Sequence, residues 1–157
     1  MALEQKQSEI AGYANSARFA SLAYIRHDGS PVLRTLGSFA LTGYDVIFST
    51  KKEAAKVREI SENNKVSFYF EHDGQQLPTW KSALFIGEAH KVEDARELDW
   101  AVGILSDRNP RFKERIARGE LPTIQLFKVK TRDIEYIDYG KGPGHVEKFT
   151  LSKEEEN

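Results

Sequence analysis

The sequence has no cysteine. That excludes disulfide staples, thiolate metal sites and a cysteine nucleophile. No signal-peptide pattern opens the chain, so the cytosol is the expected compartment. No apolar run approaches the roughly 18 residues that a membrane helix requires. Neither sign of charge dominates: 23 basic residues face 24 acidic ones, for a net charge of −1. Such a balance exerts no global pull on nucleic acid or anionic lipid, so any anion site must be local. The four histidines, His27, His72, His90 and His145, lack metal-ligand spacing, and no metal is expected. His27 sits in a turn and the other three read as exposed. No Ser–His–Asp set or marked carboxylate pair stands out. A hydrolase therefore has no support, and a site whose chemistry a cofactor carries is favoured.

What is present is a chain of 157 residues, enough for one domain with a real core. That domain is expected over 1–150, with a loose acidic tail over 151–157. Residues 2–13 place Leu3, Ile10 and Ala11 on one side of a helix that stops at Gly12 or Asn15. Arg18 to Arg26 alternates as a strand, and Asp28-Gly29 turns it into a partner strand, Pro31 to Leu41. A turn at Thr42–Asp45 leads to a third strand, Val46 to Ser49, and these three read as an antiparallel meander. A helix follows over Glu53–Asn63, with Thr50 as its expected N-cap and Glu53 three residues on.

Lys65 to Glu71 and Thr79 to Val92 read as strands, and Gly87 inside the second predicts a bulge or barrel bend. Asp94 caps a helix through Leu105, Pro110 starts a shorter one, and Gly119 ends it. Thr123–Lys130 and Asp133–Tyr139 are two further strands or one kinked pair. Gly140 to Gly144 lacks a strand–loop–helix setting and reads as a connector. Six to seven antiparallel strands with a few helices predict an α+β fold with a small barrel; a sandwich is the alternative.

The stretch from Pro31 to Phe70 carries the chemistry. Arg34 lies among apolar strand residues, either exposed at an edge or aimed at a fixed anion. Gly37 beside Ser38 lets a ligand approach the backbone. Ser49 and Thr50 offer hydroxyls near a helix start, with Lys51, Lys52 and Lys56 close in sequence. Amides, dipole and cations together stabilise a phosphate, although surface lysines and a capping threonine read equally as solvated structure. Tyr69 and Trp80 suit a flat ring, but core packing is the commoner fate of such residues.

In order and spacing, HDGSPVLRTL, VIFST, ENNKVSFYF, ALFIGEAHKVED and LFKVKTRDIEYID resemble the pyridoxamine 5′-phosphate oxidase-related family of FMN-binding split β-barrels. The likeness is strongest to its short general-stress-protein branch and runs from about Phe19 to Tyr139. It implies a split antiparallel Greek-key barrel with peripheral helices, and FMN held between the subunits of a homodimer. Arg34 and Lys56 match phosphate-binding positions. Thr35, Leu36, Gly37, Ser38 and Phe39 would run along the flavin ring with backbone contacts. Ser49 and Thr50 match a pair at the end of the next strand, and Lys51 is a further cation beside them. Trp80 to Ser82 would come from the partner chain. The family often has arginine, glutamine and tryptophan at the positions held here by Ala55, Ser82 and Ile137.

The C-terminal extension that carries substrate-binding Arg and His in the vitamin B6 oxidases is missing, so that activity is not expected. An oxidoreductase acting on a small molecule is the leading expectation. A non-catalytic flavin-binding protein, or a related barrel holding heme or a deazaflavin, are the alternatives.

Overall fold

The computed structural model describes residues 2–151, with side chains from Gln5 onward. The Leu3 side chain and residues 152–157 lie outside the described residues. Leu151, expected in the tail, is 5% exposed and donates its N–H to the Arg132 carbonyl. The elements in order are α1 (Ala2–Asn15), β1 (Ala20–Ile25), β2 (Pro31–Leu36), β3 (Phe39–Thr42), β4 (Asp45–Lys51), α2 (Ala55–Glu62), β5 (Lys65–Glu71), β6 (Lys81–Lys91), α3 (Ala95–Arg108), α4 (Pro110–Ala117), β7 (Ile124–Asp138) and β8 (Val146–Thr150). The eighth strand was not expected from the sequence.

All strands join one antiparallel sheet in the order β2-β1-β5-β6-β7-β4-β3, with β8 added beside β7. Both hairpins of the expected meander form, β1 with β2 and β3 with β4, but its second strand is not continuous. Pro31–Leu41 is two strands, broken at Gly37-Ser38, and β2 and β3 stand at opposite ends of the path. Leu36 and Phe39 are three residues apart, a reach of at most about 11 Å. Seven strands laid flat would put the two edges roughly 29 Å apart. The sheet must curl until its edges meet at that break. There the Ser49 amide donates to the Ser38 carbonyl at 3.2 Å. The result is an α+β split barrel.

The period-2 pattern of β1 and β5 aims Leu22, Phe68 and Phe70 inward, each 0% exposed. Phe48, Phe85 and Phe127 join them, with ring centroids 5.1–5.9 Å apart in neighbouring pairs. A second core lies on the other side of β3, β4 and β7, where α3 and α4 cover Ile47, Ile124 and Leu126 with Ala101, Leu105 and Phe112.

Gly87 is the bend anticipated from sequence. The β6–β7 register shifts between Ile86 and Gly87, and a Cβ at Gly87 would stand 2.1 Å from the Lys130 carbonyl oxygen. Beyond this bulge β7 changes partners: Ile124–Val129 pairs with β4, and Asp133–Ile137 with β8. The two expected strands are thus one long strand shared by both halves of the barrel.

The helix caps divide. Asp94 accepts from the Glu97 amide at 3.1 Å, as expected. Thr50 is not an N-cap: it lies inside β4, and α2 starts at Ala55 after Ala54, which makes no side-chain cap. The strand won because Thr50 pairs with Gln125 in the ladder.

Candidate functional site

Register places Arg34 in an unusual position. It sits opposite Leu22, and the row continues through Phe68, Phe85 and Ile134, all 0% exposed. Arg34 therefore occupies the barrel-facing side of β2, between buried Val32 and Leu36, yet it is exposed. An edge strand beside the split explains this, because no further strand among the described residues covers that end of the row. Apart from the neighbouring Leu33 carbonyl at 2.9 Å, Arg34 has no hydrogen-bond or ion-pair partner among the described residues.

Lys56 reaches the same region from the first turn of α2. Its ammonium pKa is pushed down, mainly by partial burial and further by the nearby Arg34 charge. Two cations brought together without an acidic partner repel each other, and an anion between them relieves the cost. The Ala55 and Lys56 amides open α2 without intrahelical partners and add donors at that end, whereas the Val57 amide donates to the Ala54 carbonyl at 3.0 Å.

The hydroxyl pair divides across β4. Adjacent strand residues face opposite ways, so Thr50 is on the side of Phe48 and the barrel, and Ser49 on the other. Ser49 is 7% exposed and pairs with Ser38 at 2.5 Å, fastening the β2–β3 break to β4. Lys51 is exposed at the strand end.

Along the expected ring-contacting stretch, Thr35 is exposed on the outer face, opposite Ser21, and Leu36 points inward. Gly37 is open, with the Phe19 ring 3.5 Å from where its Cβ would be. The Phe39 side chain is 0% exposed beneath the Arg108 guanidinium, 3.9 Å from its ring centroid, and its carbonyl accepts from Arg108 and Asn109. Arg108 also holds the Asn15 and Ala17 carbonyls, at 2.8 and 2.6 Å. Among the described residues β2 pairs only with β1, so its second edge keeps backbone donors and acceptors that no described strand pairs.

On the outer face, Glu71 accepts from the Tyr69 hydroxyl at 2.9 Å and from the Trp80 indole at 3.1 Å. These two aromatics are half-buried on that face instead of packing in the core. Burial raises the Tyr69 pKa, while a hydrogen bond to Ser82 opposes the rise. Ser82 itself is 1% exposed. Leu33 is 68% exposed on this face. It lies in register with Ala23, Ser67 and Ile86, and Leu84, Ile137 and Val146 lie on the same side.

Sequence reasoning missed Leu33, and also Arg18, Phe19 and Arg111, which border the β2–β3 break. The only signal for Leu33 was its odd position in a strand whose even positions turn inward. His72 is not exposed as expected: it stacks on Tyr13 with ring centroids 3.9 Å apart, and its Nε2 lies 2.8 Å from the Tyr13 carbonyl. No cluster of potential metal ligands occurs among the described residues. No helix of the described residues is long and apolar enough to cross a membrane. The Gly140–Gly144 segment is a connector between β7 and β8, and Lys141 is paired with Glu147 at 3.1 Å.

No curated protein matches the chain in sequence. Among solved structures, General Stress Protein 26 from Bacillus anthracis is 22% identical with a TM-score of 0.68, over 96% of this chain and 100% of that one. A conserved protein from Mycobacterium tuberculosis is 24% identical with a TM-score of 0.73, over 93% and 91%. A heme-binding protein from Mycobacterium smegmatis is 17% identical with a TM-score of 0.76. The match covers 92% of this chain but only 57% of that protein. At these identities the likeness establishes the fold alone. The family profile for pyridoxamine 5′-phosphate oxidase matches residues 7–138, most of the chain. This chain belongs to the pyridoxamine 5′-phosphate oxidase family.

Proposed function

We propose that the chain is an FMN-binding oxidoreductase acting on a small molecule, working as a cytosolic homodimer. The observation that carries this reading is the pair Arg34 and Lys56, two neighbouring cations without an acidic partner among the described residues, at the mouth of the split barrel. They would hold the FMN phosphate, with the Thr50 hydroxyl, the α2 amides and exposed Lys51 assisting. The open edge of β2 and the bare Gly37 suit close backbone contact with a flat ring along Thr35–Phe39. Bound FMN supplies hydride or electron transfer; the chain's part is to anchor the phosphate and orient the ring. The partly exposed apolar face around Leu33 would meet a second copy, and Trp80 at its border would contribute from the partner. Ser82, buried in its own chain, would act by supporting Tyr69.

Titration of the apo protein with FMN, followed by flavin fluorescence quenching, tests the reading. Saturable quenching at one FMN per chain supports it, and oxidation of NAD(P)H by the loaded protein separates an enzyme from a flavin store. Heme is the second reading, favoured by the heme-binding protein among the structural neighbours. A Soret band after reconstitution, with no flavin uptake, would replace the first reading with the second.

A further inference from the structure

Trp80 is held at more points than its place in the β5–β6 connection requires. Its carbonyl accepts from the Tyr139 amide at 2.9 Å, and its amide donates to the Leu77 carbonyl at 3.2 Å. The next residue is clamped as well. The Gln75 side chain accepts from the Lys81 amide and donates to the Lys81 carbonyl, both at 2.8 Å. The same Gln75 amide donates to the Tyr13 hydroxyl at 3.0 Å, which ties the clamp to α1. The backbone that carries the indole is therefore fixed from several sides.

Glu71 fixes the ring itself. One of its carboxylate oxygens, Oε2, accepts from both the Trp80 indole at 3.1 Å and the Tyr69 hydroxyl at 2.9 Å. No basic group pairs with Glu71 among the described residues. Its charge is committed to two neutral donors that water would otherwise satisfy. Ordering a ring before contact removes entropy that binding would otherwise cost. Half-buried aromatics of this kind carry a large share of the energy where two surfaces meet.

We propose that Glu71 is a positioning residue. It holds Trp80 in the orientation from which that ring meets the second copy and the flavin bound there, with Tyr69 as the other half of the pair. The contact across the copies rests on the homodimeric flavin reading above. The fixed indole rests on the contacts of this chain alone.

The test reads the indole N–H signals of the full chain by NMR, together with the FMN and dimer dissociation constants. The chain has two tryptophans, Trp80 and Trp100, and Trp100→Phe assigns the signals. The Trp80 proton should exchange with solvent at least about tenfold more slowly than that of Trp100. Glu71→Ala should abolish that protection and weaken FMN binding about tenfold. Glu71→Gln, whose amide oxygen accepts from both donors, should keep the protection and bind FMN within about threefold of the native protein. In a Trp80→Phe background, Glu71→Ala should cost less than about threefold, whereas a merely structural Glu71 would cost the same in both backgrounds. Unchanged indole exchange in Glu71→Ala, equal losses in the two backgrounds, or a Glu71→Gln protein as impaired as Glu71→Ala would each overturn the proposal. FMN uptake by the native chain with no loss in Glu71→Ala defeats the proposal alone. A native chain that takes up no FMN defeats the flavin reading; the dimer dissociation constant then replaces FMN in the same cycle, and additive losses there overturn the proposal.

Discussion

Arg34 on β2 and Lys56 on α2 are neighbours: partial burial is the main cause that lowers the Lys56 pKa, and the nearby Arg34 charge lowers it further. The residues are 22 positions apart and belong to different layers. Only the curl of the sheet, which carries the β2 edge round to the helix that follows β4, makes them neighbours.

Arg34→Ala should weaken FMN binding by about 1.5–3 kcal/mol, or roughly 10- to 150-fold, the usual worth of a charge-assisted hydrogen bond. Lys141→Ala should leave the dissociation constant unchanged, because Lys141 is committed to Glu147 at the opposite connector. Fluorescence titration of both variants decides the matter; an Arg34→Ala protein with native affinity removes the phosphate assignment.

Lys56→Met should separate affinity from stability. The folded pKa of Lys56 lies below its unfolded value, so the folded chain disfavours the cation. The resulting stability cost is present at neutral pH and disappears as pH rises through the folded and then the unfolded pKa. Removing the charge should therefore raise the melting temperature of the apo protein while weakening FMN binding. A phosphate held by the ammonium should also be released on the alkaline side, at a pH that Lys56→Met abolishes as a transition. A binding profile flat with pH in the native protein would exclude Lys56 from the site.

Leu33→Asp should disrupt self-association. Placing a charge in the middle of an apolar contact costs about 2 kcal/mol or more at a central position. The dimer dissociation constant should rise by roughly 30-fold or more, with a parallel loss of FMN affinity. Sedimentation analysis of both proteins across a concentration series measures this, and a native chain that sediments as a monomer would discard the homodimer.

Gly87→Ala should destabilise the fold, because its new methyl would stand 2.1 Å from the Lys130 carbonyl oxygen and the β6–β7 ladder would have to open. Overpacking of this kind costs about 1–3 kcal/mol. Chemical denaturation gives the value directly, and an unchanged midpoint would mean that the bulge yields freely.

Much was legible in the sequence because local chemistry dictates it. The alternation in Lys65–Glu71, the Asp28-Gly29 turn, the Asp94 cap and the Gly87 bend each follow from the residues at hand. Arg34 and Lys56 were also visible, as basic residues near a strand and a helix start. Thr50 misled because a threonine three residues before a glutamate suits a cap, and only the ladder with Gln125 showed that β4 continues through it.

Periodicity and turn residues by themselves determined most of the strands, though not β8, together with the main helices and the antiparallel character, since these depend on neighbours in the chain. The tertiary structure alone decided that Pro31–Leu41 breaks in two and that its halves form opposite edges of the sheet. It likewise decided that Ser49 fastens Ser38, and that Arg18 meets the arginines of the α3–α4 elbow at one cleft. These features depend on which distant strand is adjacent, and non-local pairing leaves no mark in the local pattern of residues.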